Sequence, residues 1–142
     1  MKHSVDSSIR ASGGCLCGSV RYVVRGVLAD VKACHCLICR RLHGYCCAYT
    51  ACDAADLEIE PSPRLRWHRA SPMARRGFCS KCGAQLFSIG AGRNYVSITA
   101  SSVDEPTRLR LAKHVCVNQK GDYYELADGL PQEGGRDPGG AH

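Results

Sequence analysis

The sequence has no apolar run approaching the ~18 residues that a membrane-spanning helix requires. Its opening residues, MKHSVDSSIR, hold no hydrophobic signal region. No membrane partner is expected, and the chain reads as cytoplasmic. No segment repeats. A long basic tail is missing, and so is any stripe of interleaved basic and aromatic residues. Nucleic acid is therefore the weaker candidate for a partner. The 142 residues suit one domain with a modest core, and an apolar content of 44% is globular.

Cysteine is what the sequence has in excess, with eleven residues. An odd count, no signal segment and very local C-x-C and C-x-x-C spacings do not make a disulfide framework. In a reducing compartment such clusters are metal ligands. The net charge is +6, from 19 basic and 13 acidic residues. Metal-bound thiolates would reduce that excess to a mild one, suited to an anionic small molecule.

Along the chain, short alternating segments dominate. Residues 15–24, 45–52, 57–60, 64–69, 94–103 and 109–117 read as strands, and 77–89 as a cysteine pair leading into another. LICRRLH (37–43) reads as a short helix stopped by Gly44. Residues 1–12 read as a flexible N-terminal segment, and the Gly-rich 132–142 as a disordered tail. The domain proper is expected over 13–131, mostly β with little helix.

Three cysteine groups carry the chemistry: Cys15-x-Cys17, Cys34-x-Cys36-x-x-Cys39 and Cys79-x-x-Cys82-Gly83. Residues i and i+2 of a strand point to one side, so a C-x-C pair can present two sulfurs to one ion. The C-x-x-C-G turn supplies another two, with Gly83 free to take a left-handed conformation. Together Cys15, Cys17, Cys79 and Cys82 make a closed zinc site that contributes folding free energy. Cys34, Cys36 and Cys39 then stand as three thiolates with the fourth position left for water or substrate, the pattern of a catalytic zinc. A rival pairing of Cys34 and Cys36 with Cys79 and Cys82 would strand Cys39, and ranks lower. The three-thiolate site could also be closed by His35, His43, His114 or another cysteine. Cys46, Cys47, Cys52 and Cys116 read as small buried apolar groups. His114 reads as a hydrogen-bonded core or rim residue.

GGCLCGSVRY, CHCLICRRLHG, GFCSKCGAQLF and ADGLP resemble the glutathione-dependent formaldehyde-activating enzyme family, which shares its domain with centromere protein V. The resemblance runs from about Gly13 to Pro131. It implies a single-domain β-tent with zinc-ribbon-like cysteine loops. It also implies two zinc ions per chain, a structural one on Cys15, Cys17, Cys79 and Cys82 and a catalytic one on Cys34, Cys36 and Cys39. The implied activity joins glutathione to formaldehyde as S-hydroxymethylglutathione, a carbon–sulfur lyase reaction run in the direction of addition. The partners so implied are a small-molecule thiol and an electrophile. Similar sequences carry an aromatic near position 116 and a Trp before Tyr123, where this chain has Cys116 and Asp122.

Arg40, Arg41, Arg75, Arg76 and Arg93 are the candidates for holding the carboxylates of glutathione. The competing reading is a zinc-stabilised binding module for nucleic acid or protein, without catalysis.

Overall fold

The structure is a computed structural model that describes residues 8–135. Its strands follow the polar–apolar alternation of the sequence. In chain order they are β1 (Ala11–Gly14), β2 (Arg21–Val24), β3 (Val31–Cys34), β4 (Cys47–Asp53), β5 (Leu57–Ile59), β6 (Leu65–Ser71), β7 (Ala74–Cys79), β8 (Gln85–Gly90), β9 (Tyr95–Thr99) and β10 (Leu111–Val115). One α-helix, α1 (Leu37–His43), lies between β3 and β4. Gly44 ends it in the left-handed conformation, with φ 88°, and its N–H donates to the Arg40 carbonyl. No helix among the described residues is long and apolar enough to cross a membrane.

The strands form two open sheets. The smaller has the order β1-β2-β5 and the larger β10-β3-β4-β9-β8-β7-β6. Every neighbouring pair is antiparallel except β3 and β10. The mostly β architecture with little helix is as the sequence implied.

The main core lies where the small sheet covers the large one. Val20, Tyr22 and Val24 bring it an inward face that is fully buried or nearly so, opposite Leu86, Phe87, Val96 and Ile98. Tyr22 meets Phe87 edge-on with ring centroids 5.3 Å apart, and Phe87 stacks on Trp67 at 6.1 Å. Edge-to-face and stacked pairs add to the burial term. The Tyr22 hydroxyl and Ser102 Oγ lie 2.7 Å apart, so the phenol is not buried unpaired. Burial, partly offset by this bond, raises the Tyr22 pKa to about 12.

Two details depart from the sequence reading. Cys15 and Cys17 lie in the turn between β1 and β2 and not on a strand. A tight turn converges sulfurs as well as strand alternation does. The segment before Cys82 is itself a strand, β7, which Cys79 ends, so Cys82 sits in the hairpin turn joining β7 to β8.

The termini also differ. Ala11 and Ser12 belong to β1. The disorder expected from Gln132 does not extend to its first residues. His114 N donates to Pro131 O, Glu133 N to His114 O and Val117 N to Glu133 O, so this segment runs beside β10. Residues 1–7 and 136–142, which include the rest of both expected flexible segments, lie outside the described residues.

Two local features fix the small sheet on the large one. At Gly13 a Cβ would stand 2.3 Å from both Ser102 O and Tyr22 Oη, so only glycine allows the approach. Gly13→Ala is expected to lower stability by about 1–3 kcal/mol, as overpacking does, seen as a lower denaturation midpoint.

Asp104 accepts from Arg21 at 2.5 Å and from Ser12 Oγ at 2.9 Å. The Arg21 guanidinium holds the Asp104 carboxyl below its usual 3.8. The pair's contribution is therefore present above that value and lost as pH falls through the lower folded pKa. Both side chains are part-exposed, so Asp104→Asn should cost about 0.5–1 kcal/mol at neutral pH. The difference from wild type in thermal unfolding should close in acid below 3.8.

Candidate metal and thiol site

The turn β1–β2 and the turn β7–β8 meet, and four sulfurs meet with them. Cys15, Cys17, Cys79 and Cys82 have sulfur atoms all within 4.8 Å of one another. Cys15 to Cys17 is 3.6 Å and Cys17 to Cys79 is 3.8 Å. A tetrahedral ion with Zn–S bonds of about 2.3 Å separates its sulfurs by roughly 3.8 Å. The donor set and its spacing therefore fit zinc.

Backbone groups prepare the sulfurs for charge. Val20 N–H donates to Cys15 Sγ at 3.3 Å and Cys82 N–H to Cys79 Sγ at 3.5 Å. Gly83, with φ 84°, lets the turn close by donating its N–H to Cys79 O at 2.8 Å. Bonds from Ser19, whose Oγ is 3.2 Å from the sulfur, bring the Cys17 pKa down to about 6. The Ala84 backbone likewise lowers Cys82. Cys17 is thus disposed to be thiolate at neutral pH, and Cys82 is moved in the same direction.

The second group is built differently. Cys34 ends β3, Cys36 is the N-cap of α1, and Cys39 lies in its first turn. The cap brings the two together, because Cys39 N–H donates to Cys36 Sγ at 3.3 Å. All three are buried, and their sulfurs lie within 4.8 Å of one another. Crowding by the Cys36 and Cys39 thiols, then burial, pushes the Cys34 pKa far up. Three buried thiols cannot all ionise together without a cation, and a divalent ion is the natural one to release those protons. This group too fits a metal.

A second, buried cation stands beside it. Arg76, from β7, places Nη1 3.7 Å from Cys39 Sγ.

Two of the three histidines that could have closed this site, His35 and His114, are taken up elsewhere. His35 Nδ1 lies 2.6 Å from Tyr124 Oη, and His35 Nε2 lies 2.9 Å from His114 Nδ1. His114 Nε2 lies 2.7 Å from Asp128 Oδ2. The hydrogen-bond directions follow from the end of the chain. The Asp128 carboxyl, held below its usual range by His114, can only accept. His114 then donates from Nε2 and accepts at Nδ1. His35 donates from Nε2 and accepts the Tyr124 hydroxyl proton at Nδ1. Burial holds His35 below its ordinary 6.5, in keeping with a neutral ring.

Both nitrogens of both rings are therefore spent, and the residue between Cys34 and Cys36 is clamped from behind. His43 and Cys47 are not in the three-sulfur group. Cys47 is buried, and its hydrogen bond with Cys39, with burial second, raises its pKa.

A cleft of about 300 Å³, counted out to its mouth, lies against this group. Cys47 and Arg76, both of which contact Cys39, line it together with His43, Tyr49 and Phe87. Of the five candidate arginines, Arg76 alone lines this cleft. Arg75 lies over the Trp67 ring at 4.5 Å, and Arg93 donates to Tyr95 Oη at 2.5 Å. Arg40 and Arg41 are on α1.

Cys52 belongs to the main core and Cys47 is equally buried, whereas Cys46 and Cys116 are half-buried. None of the eleven cysteines is in a disulfide. The sequence reading assigned no role to Asp128 or Tyr124. The only signal was the ADGLP motif, whose Asp128 sits 14 residues from its partner.

The family model for the glutathione-dependent formaldehyde-activating enzyme matches residues 10–119. No curated protein matches the sequence. A Rhodobacter sphaeroides protein of known crystal structure is similar in fold, with a TM-score of 0.52 and 20% identity. The match covers 86% of this chain and 98% of that one. At that identity the likeness is one of fold alone.

If the four-sulfur group holds the fold together through zinc, Cys79→Ser should leave the protein largely unfolded. Structural zinc is worth ~10–16 kcal/mol in small zinc domains. A strong chelator should have the same effect on the wild type, read by loss of cooperative thermal unfolding.

Proposed function

Because the chain belongs to the glutathione-dependent formaldehyde-activating enzyme family, we propose that it adds a thiol, glutathione, to formaldehyde or a related small electrophile. The reaction is of the carbon–sulfur lyase type, and the cytoplasm is its setting. Cys15, Cys17, Cys79 and Cys82 hold a structural zinc in this reading, and Cys34, Cys36 and Cys39 a catalytic one. The observation that carries it is a buried group of three sulfurs that no fourth His, Cys, Asp or Glu among the described residues joins, beside a cleft and with the ring nitrogens of His35 and His114 already occupied.

A zinc ion held by these three thiolates supplies, when bound, an open position and positive charge that favours thiolate over thiol. The chain's own residues do the rest. The strand end at Cys34 and the cap at Cys36 fix the sulfurs. The Tyr124–His35–His114–Asp128 chain fixes the backbone between them. Arg76 offsets thiolate charge through Nη1. In the reaction the thiol sulfur forms a bond to the carbonyl carbon, and the π pair moves to oxygen. The proton lost by the thiol ends on that oxygen, giving the hydroxymethyl thioether. Running the steps backwards breaks the carbon–sulfur bond.

The test is Cys36→Ser. Serine is itself a favoured N-cap, so α1 keeps its start. The variant should unfold within a few degrees of wild type, bind one zinc fewer, and lose essentially all glutathione-dependent formaldehyde consumption followed by NMR. Full activity in this variant would sink the proposed chemistry.

A further inference from the structure

Two buried polar atoms among the residues that line the cleft have no partner among the described residues. Arg76 is 4% exposed and Ser97 is 6% exposed, and both line the cleft. Arg76 Nε and Ser97 Oγ make no hydrogen bond. Buried polar groups are normally satisfied, so each orphan calls for an explanation.

Charge compensation of the cysteines explains only part of this. It uses Nη1 of Arg76, one corner of a guanidinium with five donors. It does not explain Ser97 at all.

The sheet register shows that the two residues belong together. Arg76 pairs with Ser88 across β7 and β8, and Ser88 pairs with Ser97 across β8 and β9. Cross-strand partners share a face, so the three form one polar row. Ser97 lies between Val96 and Ile98 of the main core, and strand alternation turns it to the cleft side.

The row ends at an apolar wall that includes Leu86 and Phe87. Only about 20 Å³ of this apolar recess is open to the centre of a water-sized sphere, so the donor pair suits a ligand with one or two carbons and an oxygen to offer. A tripeptide does not fit within it and would have to remain at the mouth.

We propose that Arg76 and Ser97 form the receptor for the oxygen of a small carbonyl compound, or for the carboxylate that imitates it. This deepens the thiol addition proposed above and rests on it for the identity of the electrophile. As the sulfur–carbon bond forms, the carbonyl π pair moves onto an oxygen already facing a guanidinium N–H and a hydroxyl. Donors preset toward developing charge stabilise it without reorganising. Arginine keeps its own protons. The proton released by the thiol reaches the oxygen through water at the mouth.

The test measures binding rather than turnover. Formate, a one-carbon carboxylate, is titrated calorimetrically into zinc-loaded protein with neither thiol nor aldehyde present. Wild type should bind one formate per chain. Arg76→Lys, which keeps the charge but loses the fork, should weaken binding about tenfold or more. Ser97→Ala should do the same while raising the melting temperature, because it removes an unsatisfied buried hydroxyl. A merely structural serine would not give that opposed pair of effects. If Arg76→Lys fails to fold, Ser97→Ala carries the test.

No saturable formate binding to wild type in the millimolar range, or affinities within twofold in the folded variants, would overturn the receptor. Formate binding that depends on both residues in a protein without thiol–aldehyde activity would keep the receptor and discard the proposed reaction. Activity combined with formate binding indifferent to both substitutions would do the reverse.

Discussion

The convergence of four sulfurs between two turns is the constraint on which the rest of this fold depends. One turn joins the strands of the small sheet, and the other joins two strands of the large one. The three-stranded sheet is short, and two of its strands have four residues and one has three. Strands of that length are not stable alone. Their stability comes from covering Leu86, Phe87 and Ile98, and that depends on where the sulfur group anchors their turn. The close approach at Gly13 and the Arg21–Asp104 pair then set the same small sheet close to that turn.

The two cysteine groups differ in what surrounds them. In the four-sulfur group, peptide N–H groups and Ser19 point at the sulfurs, and Cys17 and Cys82 are lowered. In the three-sulfur group, thiol faces thiol, and Cys34 is raised. Such a pocket keeps its charge in check from outside, through Arg76. The contrast between a hydrogen-bonded clamp and a crowded, buried triad is what the division into structural and reactive zinc would require.

Much of this was legible in the sequence. Local spacing predicts which cysteines can meet, because turns and caps act over a few residues. The 2+3+2 grouping of sulfurs reappears in space, and so do the short helix and its glycine stop. The strand placement of Cys15 and Cys17 failed because a tight turn and a strand both bring i and i+2 sulfurs together, and the spacing cannot tell them apart. Strand β7 was hidden because ARRGF alternates weakly and carries two arginines, one of which is buried. Buried charge is the last thing a hydrophobic pattern reveals. The polar row of Arg76, Ser88 and Ser97 depends on register between three strands, and no local rule gives register. Likewise His35 and His114 are 79 residues apart, and only the parallel pairing of β3 with β10 brings them together.

That pairing orders events in time. During synthesis the segment with Cys34, Cys36 and Cys39 leaves the ribosome long before β10 and the loop bearing Asp128. Until residue 128 has emerged, the hydrogen-bond chain from His35 through His114 to Asp128, with Tyr124 at its other end, is incomplete behind the cysteine loop. Zinc captured early by the nascent chain would meet a flexible loop, and zinc captured late a rigid socket. Metal loading at the two sulfur groups thus becomes separable in the order of translation, since Cys82 completes the first group well before residue 128 completes the support of the second.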